Sequence, residues 1–245
     1  MKYLVCISKT PDTTTKIAFN AENTAFNGAG VTYIMNPYDE WYALVRACEL
    51  KEKQVDSSVT VICVGLADVE QIIRKALAIG ADKAIRVDAH PTSAYFVAQQ
   101  IAANAAGYDV VFLGKETIEY NGSEVGSTLA ELLDMPFVSY ASSIEIDGAT
   151  ATIEREIEGG KETVEVDAPF VVSAAKGMAE QRIPNMMGIM KAKGKPLAVV
   201  QPVDCQELVS QVSLTMPPAK TGVKMVDADN IAELVRLLHE EAKVI

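Results

Sequence analysis

The chain has 245 residues, 49% of them hydrophobic and 22% charged, which is the make-up of a globular protein with one large domain or one domain plus appendages. Its 33 Asp+Glu against 22 Lys+Arg leave a formal charge of −11, and this argues against nucleic acid or an anionic membrane as partner, since both need clustered cations. No apolar run reaches the roughly 20 residues of a membrane helix, Met1–Ile7 is too short for a secretory signal, and four cysteines without a CxxC spacing fit a reduced, cytoplasmic chain.

In chain order, Tyr3–Ile7 is a continuous apolar run of the kind buried on both faces of a parallel sheet. Asn36-Pro37 then opens a helix with Trp41, Leu44, Val45 and Cys48 on one face, with Asn36 as N-cap and Pro37 in the first turn. Val59–Gly65 reads as the second strand. A helix from Asp68 through Ile72, Ile73, Ala76 and Leu77 closes at Gly80. Ala84–Val87 is the third strand, and Ser93 caps a helix through Val97, Ile101 and Ala105. Val110–Gly114 is the fourth strand. A helix over about Glu124–Asp134 places Val125, Leu129, Leu132 and Leu133 inward, and Pro136–Tyr140 begins a fifth strand. Strands alternating with helices of this length predict an α/β fold: a Rossmann-like, mostly parallel sheet with helices on both faces.

After residue 140 the period drops to two in 144–146, 151–153 and 163–166, with Asp147-Gly148 and Gly159-Gly160 as turn signals. This predicts an inserted antiparallel ribbon over about 143–167. Phe170–Ala174 and Leu197–Val200 return to buried-strand composition. The α/β domain is therefore drawn at 1–202 and a C-terminal arm at 203–245. The arm consists of an extended connector (Met216–Gly222) and a helix over about Asp229–Lys243 whose face of Ile231, Leu234, Val235 and Leu238 packs on its own domain or on a partner.

Few residues offer chemistry. His90 and His239 have no metal-ligand neighbours, so no metal site is expected, and no nucleophile motif appears. Gly114-Lys115-Glu116-Thr117 lacks the residues of a P-loop, and Gly28-Ala29-Gly30 neither follows a strand nor opens a helix. One segment meets the physical requirements for binding a phosphate. Lys115–Ser127 leaves a central strand and enters a helix N-terminus with Asn121, Gly122, Ser123, Gly126, Ser127 and Thr128 as neutral or compact positions. It is either a phosphate-binding loop or a solvated loop with an ordinary cap. Glu116, Glu119 and Glu124 around it suit one phosphate better than several. Asn36-Pro37-Tyr38-Asp39 is a second candidate on the same sheet edge, or simply a helix cap completed by Asp39.

The chain resembles, from end to end, the beta (small) subunit of electron-transfer flavoproteins. The resemblance rests on Leu4–Asp12, on Asn36-Pro37-Tyr38-Asp39-Glu40 (N-P-aromatic-x-E) and on Leu77–Ala84. It rests further on Leu113–Ile118, on Glu154–Glu162, on Ala168–Val172 and on Ile189–Lys193. The resemblance implies an electron carrier and not an enzyme, paired with an alpha subunit that holds the redox-active FAD. It implies AMP in this subunit's own site, or a second FAD in electron-bifurcating members. The implied nucleotide contacts are Cys6; Asn36, Pro37, Tyr38 and Asp39; Val64; and Glu119, Tyr120, Asn121, Gly122, Ser123, Glu124, Val125, Gly126, Ser127, Thr128, Leu129 and Ala130. Glu124 stands where the family has Gln. The implied docking loop for acyl-CoA dehydrogenase-type partners spans about 174–188, with Met178 as its hydrophobic anchor. The different class to set against this is a stand-alone adenine-nucleotide hydrolase.

Overall fold

The structure is a computed structural model describing residues 1–220 and 222–245; Thr221 of the expected connector lies outside the described residues. Nine strands form one sheet. They are β1 (Lys2–Cys6), β4 (Ser58–Val64), β5 (Lys83–Val87), β6 (Val110–Gly114), β7 (Phe137–Asp147), β8 (Thr150–Ile157), β9 (Gly160–Asp167), β10 (Phe170–Ala174) and β11 (Leu197–Val200). Their order is β11-β5-β4-β1-β6-β10-β7-β8-β9. All pairs are parallel except β7–β8 and β8–β9. A separate two-stranded sheet pairs β2 (Lys9–Pro11) with β3 (Tyr33–Met35). Neither strand was expected, because three residues are too few to show a period.

The helices are α1 (Asp39–Lys53), α2 (Glu70–Ile79), α3 (Ala94–Ala102), α4 (Val125–Leu133), α5 (Met186–Ala192) and α6 (Ile231–Arg236). Both faces of the sheet are covered, as expected. Tyr3, Val5, Cys63, Val110 and Phe112 join α1 and α2 residues such as Leu44 and Ile73 in one core. Leu4, Cys6, Ile62, Val64 and Val111 join Ala98 and Ile101 of α3 and Leu129 of α4 in the other. This alternation along β1 is the two-residue period of a strand between two helix layers.

The expected antiparallel ribbon is present, and it grows out of the parallel sheet. β7 runs parallel to β10 in its first half, shifts register near Ser142, and continues as the first strand of the antiparallel ribbon. Tyr140 sits at the bend with φ +58°, and its N–H is taken by Ser173 Oγ at 3.1 Å. Three expectations change. Leu132 faces solvent, because α4 turns only Gly126, Leu129 and Ala130 fully inward. β11 is an edge strand with Ala198 and Val199 exposed, although its composition is that of an interior strand. The last helix is shorter than expected, with α6 followed by one π-helical turn, Leu237–Glu241. Ile231, Leu234 and Val235 are exposed on it and Leu237 is buried. No helix among the described residues is long and apolar enough to cross a membrane.

Candidate functional site

The chain from β1 goes through α1 to β4 on one side, whereas β6 lies on β1's other side. The strand order therefore reverses between β1 and β6, and the crevice beyond their carboxyl ends is where open α/β sheets bind ligands. The segments leaving these strands, Ile7–Ser8 and Lys115–Glu124, form its walls.

Asn36 does not cap α1. The helix begins at Asp39, with Tyr38 in the cap position and no side-chain cap bond. Proline at 37 and a buried position for Asn36 turn the amide the other way. Its Nδ2 donates to Glu116 O at 2.8 Å, and its Oδ1 accepts from Ile118 N at 3.2 Å. The two candidate segments are thus stapled together by one buried amide. Asp39, expected to complete a cap, is instead buried beside Lys115 and Glu116. Burial pushes its carboxyl up to about 6, against the pull of the Lys115 ammonium.

Glu40 has no part in the sequence reading of the crevice beyond marking the resemblance, yet it lies at the crevice floor. It is fully buried and pins the exit of β1, with Ser8 N–H and Ser8 Oγ donating to it at 2.6 and 2.7 Å. Burial pushes its carboxyl up to about 8, although the Ser8 donors oppose the shift. Gly114 is required here. A Cβ would stand 2.9 Å from both the backbone N and Cγ of Glu40, so the start of α1 crosses the end of β6 at backbone distance. No sequence period reports such a crossing.

The loop from Glu119 turns sharply into α4. Asn121 and Ser123 are both left-handed (φ +54°). Gly122 lies against the Tyr120 ring, with its Cβ position 2.4 Å from Cε1. Glu124 occupies the cap position of α4, but its side chain makes no cap bond and points to solvent. The first N–H groups of α4, from Val125 to Ser127, are therefore left to an external acceptor. Cys6 and Val64 end their strands in the core layer shared with Leu129 and Ala130, giving the crevice an apolar wall. Gly126 serves packing and not ligand approach: a Cβ there would meet Leu113 Cδ1 and Phe137 Cζ at 2.9 Å. On the α1 side the crevice continues into a cleft of about 410 Å³ lined by Asn36, Tyr38, Asp39, Lys115, Asn121 and Lys176 among others.

The docking loop departs from expectation at its anchor. Met178 is 3% exposed and sits in the main core with Val138, Ala141 and Ala174, so no partner can reach it in this conformation. Five residues further on, Ile183 is 82% exposed, and Met186, Met187 and Met190 of α5 are exposed beside it. In the sequence this surface is a run of apolar residues, Ile183 to Met190, interrupted by Pro184 and Asn185. Lys191, Lys193 and Lys195 follow it.

The amino-acid sequence matches one group of known proteins. The model of the electron transfer flavoprotein domain matches residues 24–204. The electron transfer flavoprotein subunit beta of Bacillus subtilis is 34% identical over the whole of both chains. The human subunit beta is 34% identical over 100% of this chain and 99% of its own. The chain belongs to the electron transfer flavoprotein beta-subunit family. The subunit beta of Syntrophomonas wolfei, 35% identical over 94% of this chain and 92% of its own, is a third full-length relative. Among the described residues no group of three or more His, Cys, Asp or Glu is placed to hold a metal ion.

Proposed function

We propose that this chain is the small subunit of a heterodimeric electron carrier. A larger alpha subunit holds the redox-active FAD, and this subunit's crevice holds AMP in a structural role. Electrons pass from dehydrogenases of the acyl-CoA dehydrogenase type, docked on the loop around Ile183, to a downstream acceptor, and the chain itself catalyses no turnover. The observation that carries the AMP reading is the uncapped N-terminus of α4 behind a loop whose own side-chain donors, Asn121 and Ser123, are neutral. One phosphate fits that donor set. Cys6 and Val64 supply an apolar wall for a purine, and the carboxylates of Glu116 and Glu119 disfavour further phosphates. The bound flavin of the partner supplies the redox chemistry; this chain supplies surface and orientation.

The exposed face of Ile231, Leu234 and Val235 supports the expected packing of the arm's end on the alpha subunit. Burying such side chains contributes on the order of 1.5–3 kcal/mol each before ordering costs.

A second reading, a bifurcating subunit with its own FAD, draws on the cleft of about 410 Å³ beside the crevice, where Lys115 and Lys176 offer cations and Tyr38 a ring for a longer ligand. Nucleotide analysis of the purified heterodimer separates the two. One FAD and one extractable AMP per heterodimer support the carrier, whereas two FAD establish the second reading. ATP hydrolysis by the pure protein would overturn both in favour of a hydrolase.

A further inference from the structure

The exposed methionines of α5 stand on a helix that is fixed from behind. Asn185 caps it, its Oδ1 accepting from Gly188 N at 2.7 Å. Gly188 meets α2 at backbone distance, since a Cβ there would stand 2.5 Å from Ala78 O. Arg74 of α2 donates to Ala192 O and Lys195 O, both at 2.8 Å. Lys195 Nζ donates in turn to Leu77 O and Ala81 O at 2.8 and 2.6 Å. Gly188 and the buried Ala192 therefore mark the inner side of α5. Met186, Met187 and Met190 are left on the outer side, 77%, 63% and 70% exposed.

Three of the chain's nine methionines thus form one exposed patch within five residues. Met35 and Met178 are buried in the main core, and the other exposed ones, Met216 and Met225, lie apart on the arm. Methionine suits a docking face, because its unbranched, polarizable side chain repacks against differing partners. It is also an apolar side chain that a peroxide converts. The thioether sulfur takes one oxygen atom from hydrogen peroxide: an S–O bond forms and the O–O bond breaks. The sulfur is oxidised by two electrons, the peroxide is reduced, and both its hydrogens leave in water. The product is a polar, chiral sulfoxide. The contacts that hold α5 on α2 involve no sulfur, so the helix stays in place while its outer face changes polarity.

We propose that Met186, Met187 and Met190 are an oxidation-sensitive patch. Hydrogen peroxide converts them to sulfoxides ahead of the buried methionines, and the sulfoxides weaken docking of a dehydrogenase without unfolding the chain. The inference rests on the docking reading above.

The test uses the full heterodimer, as wild type and as the triple variant Met186→Leu, Met187→Leu, Met190→Leu, each compared with its own untreated sample. Hydrogen peroxide is added in steps. Three quantities are read: sulfoxide at each methionine by peptide mapping, the KM of an acyl-CoA dehydrogenase for the heterodimer, and the melting temperature. In wild type, sulfoxide is expected at Met186, Met187 and Met190 before Met35 and Met178. KM should rise about fivefold or more while the melting temperature stays put. Methionine sulfoxide reductases with a dithiol, which becomes a disulfide as the oxygen leaves in water, should restore KM. The treated leucine variant should keep its own starting KM. Sulfoxide at all three positions with unchanged KM overturns the proposal. So does oxidation of Met35 or Met178 at the same rate, or an equal rise in the leucine variant. Ile183→Asp combined with Met190→Asp, without peroxide, tests the docking reading separately. An unchanged KM there refutes docking on this loop, whereas a raised KM with inert sulfoxides refutes the oxidation-sensitive patch alone.

Discussion

Ser8 gives both its backbone N–H and its hydroxyl to the buried carboxyl of Glu40, at 2.6 and 2.7 Å, and among the described residues no cation pairs with that carboxyl. Burial pushes Glu40 up to about 8 from an ordinary 4.5, so the folded protein keeps a proton that the unfolded chain releases. This stabilisation is present in full below pH 4.5 and is lost as pH rises to about 8. The loss is on the order of a few kcal/mol. Glu40→Gln keeps an acceptor for Ser8 and removes the titration. Denaturant unfolding at pH 5, 6.5 and 8 is expected to show the variant gaining on wild type as pH rises; parallel curves would refute the buried proton.

Asn36 joins the helix-opening segment to the loop after β6 through two hydrogen bonds of one buried amide. Asn36→Ala leaves Glu116 O and Ile118 N without those partners, at a cost of about 1–3 kcal/mol. Nucleotide affinity should fall with stability. Asn36→Asp retains the acceptor for Ile118 N–H but sets a carboxylate against Glu116 O, so it should perform no better than Ala. An Asp variant with wild-type melting and wild-type AMP retention by calorimetry would sink this role.

Gly126 lets α4 lie on Leu113 and Phe137. Gly126→Ala inserts a methyl into a 2.9 Å gap. Overpacking of this kind costs about 1–3 kcal/mol, set against roughly 1 kcal/mol of helix propensity gained. The helix start moves as well, so nucleotide retention is expected to drop more than the melting temperature does. Unaltered retention would show that the position of α4 is not critical to the site.

The α/β architecture was legible because β1, β4, β6 and β10 are continuous apolar runs separated by helices with recognisable starts, such as Ser93 capping Phe96 N–H at 3.0 Å. The position of the Ser/Asn/Gly loop between β6 and α4 was legible, since a strand end followed by a helix start brackets it. Three things were hidden. Asn36 carries the same residue type whether it caps a helix or staples a loop, and only the three-dimensional position of Glu116 decides between them. Glu40 looks like one more carboxylate on an acidic surface. β11 has the composition of an interior strand, and composition does not register that no tenth strand follows it.

Met178 and Ile183 form a matched pair for the docking proposal. Met178→Ala removes a buried side chain from the main core and should cost about 2–5 kcal/mol. Ile183→Ala removes an exposed one, so stability should stay within about 0.5 kcal/mol of wild type. The rate at which an acyl-CoA dehydrogenase reduces the heterodimer's flavin should nevertheless fall severalfold in Ile183→Ala. Equal rates in Ile183→Ala and wild type, in stopped-flow reduction, would remove that residue from the docking surface.

The two rims of the nine-stranded sheet are chemically unequal. β9 is an edge strand that carries Lys161, Glu162, Glu165 and Asp167, charges that resist pairing with another strand. β11 is Leu197-Ala198-Val199-Val200, with no charge and an unpaired side. Recruitment of a foreign strand is thus one-ended. A chain able to accept strands at only one rim cannot polymerise by edge addition; two copies meeting β11 to β11 satisfy each other across a two-fold axis and stop.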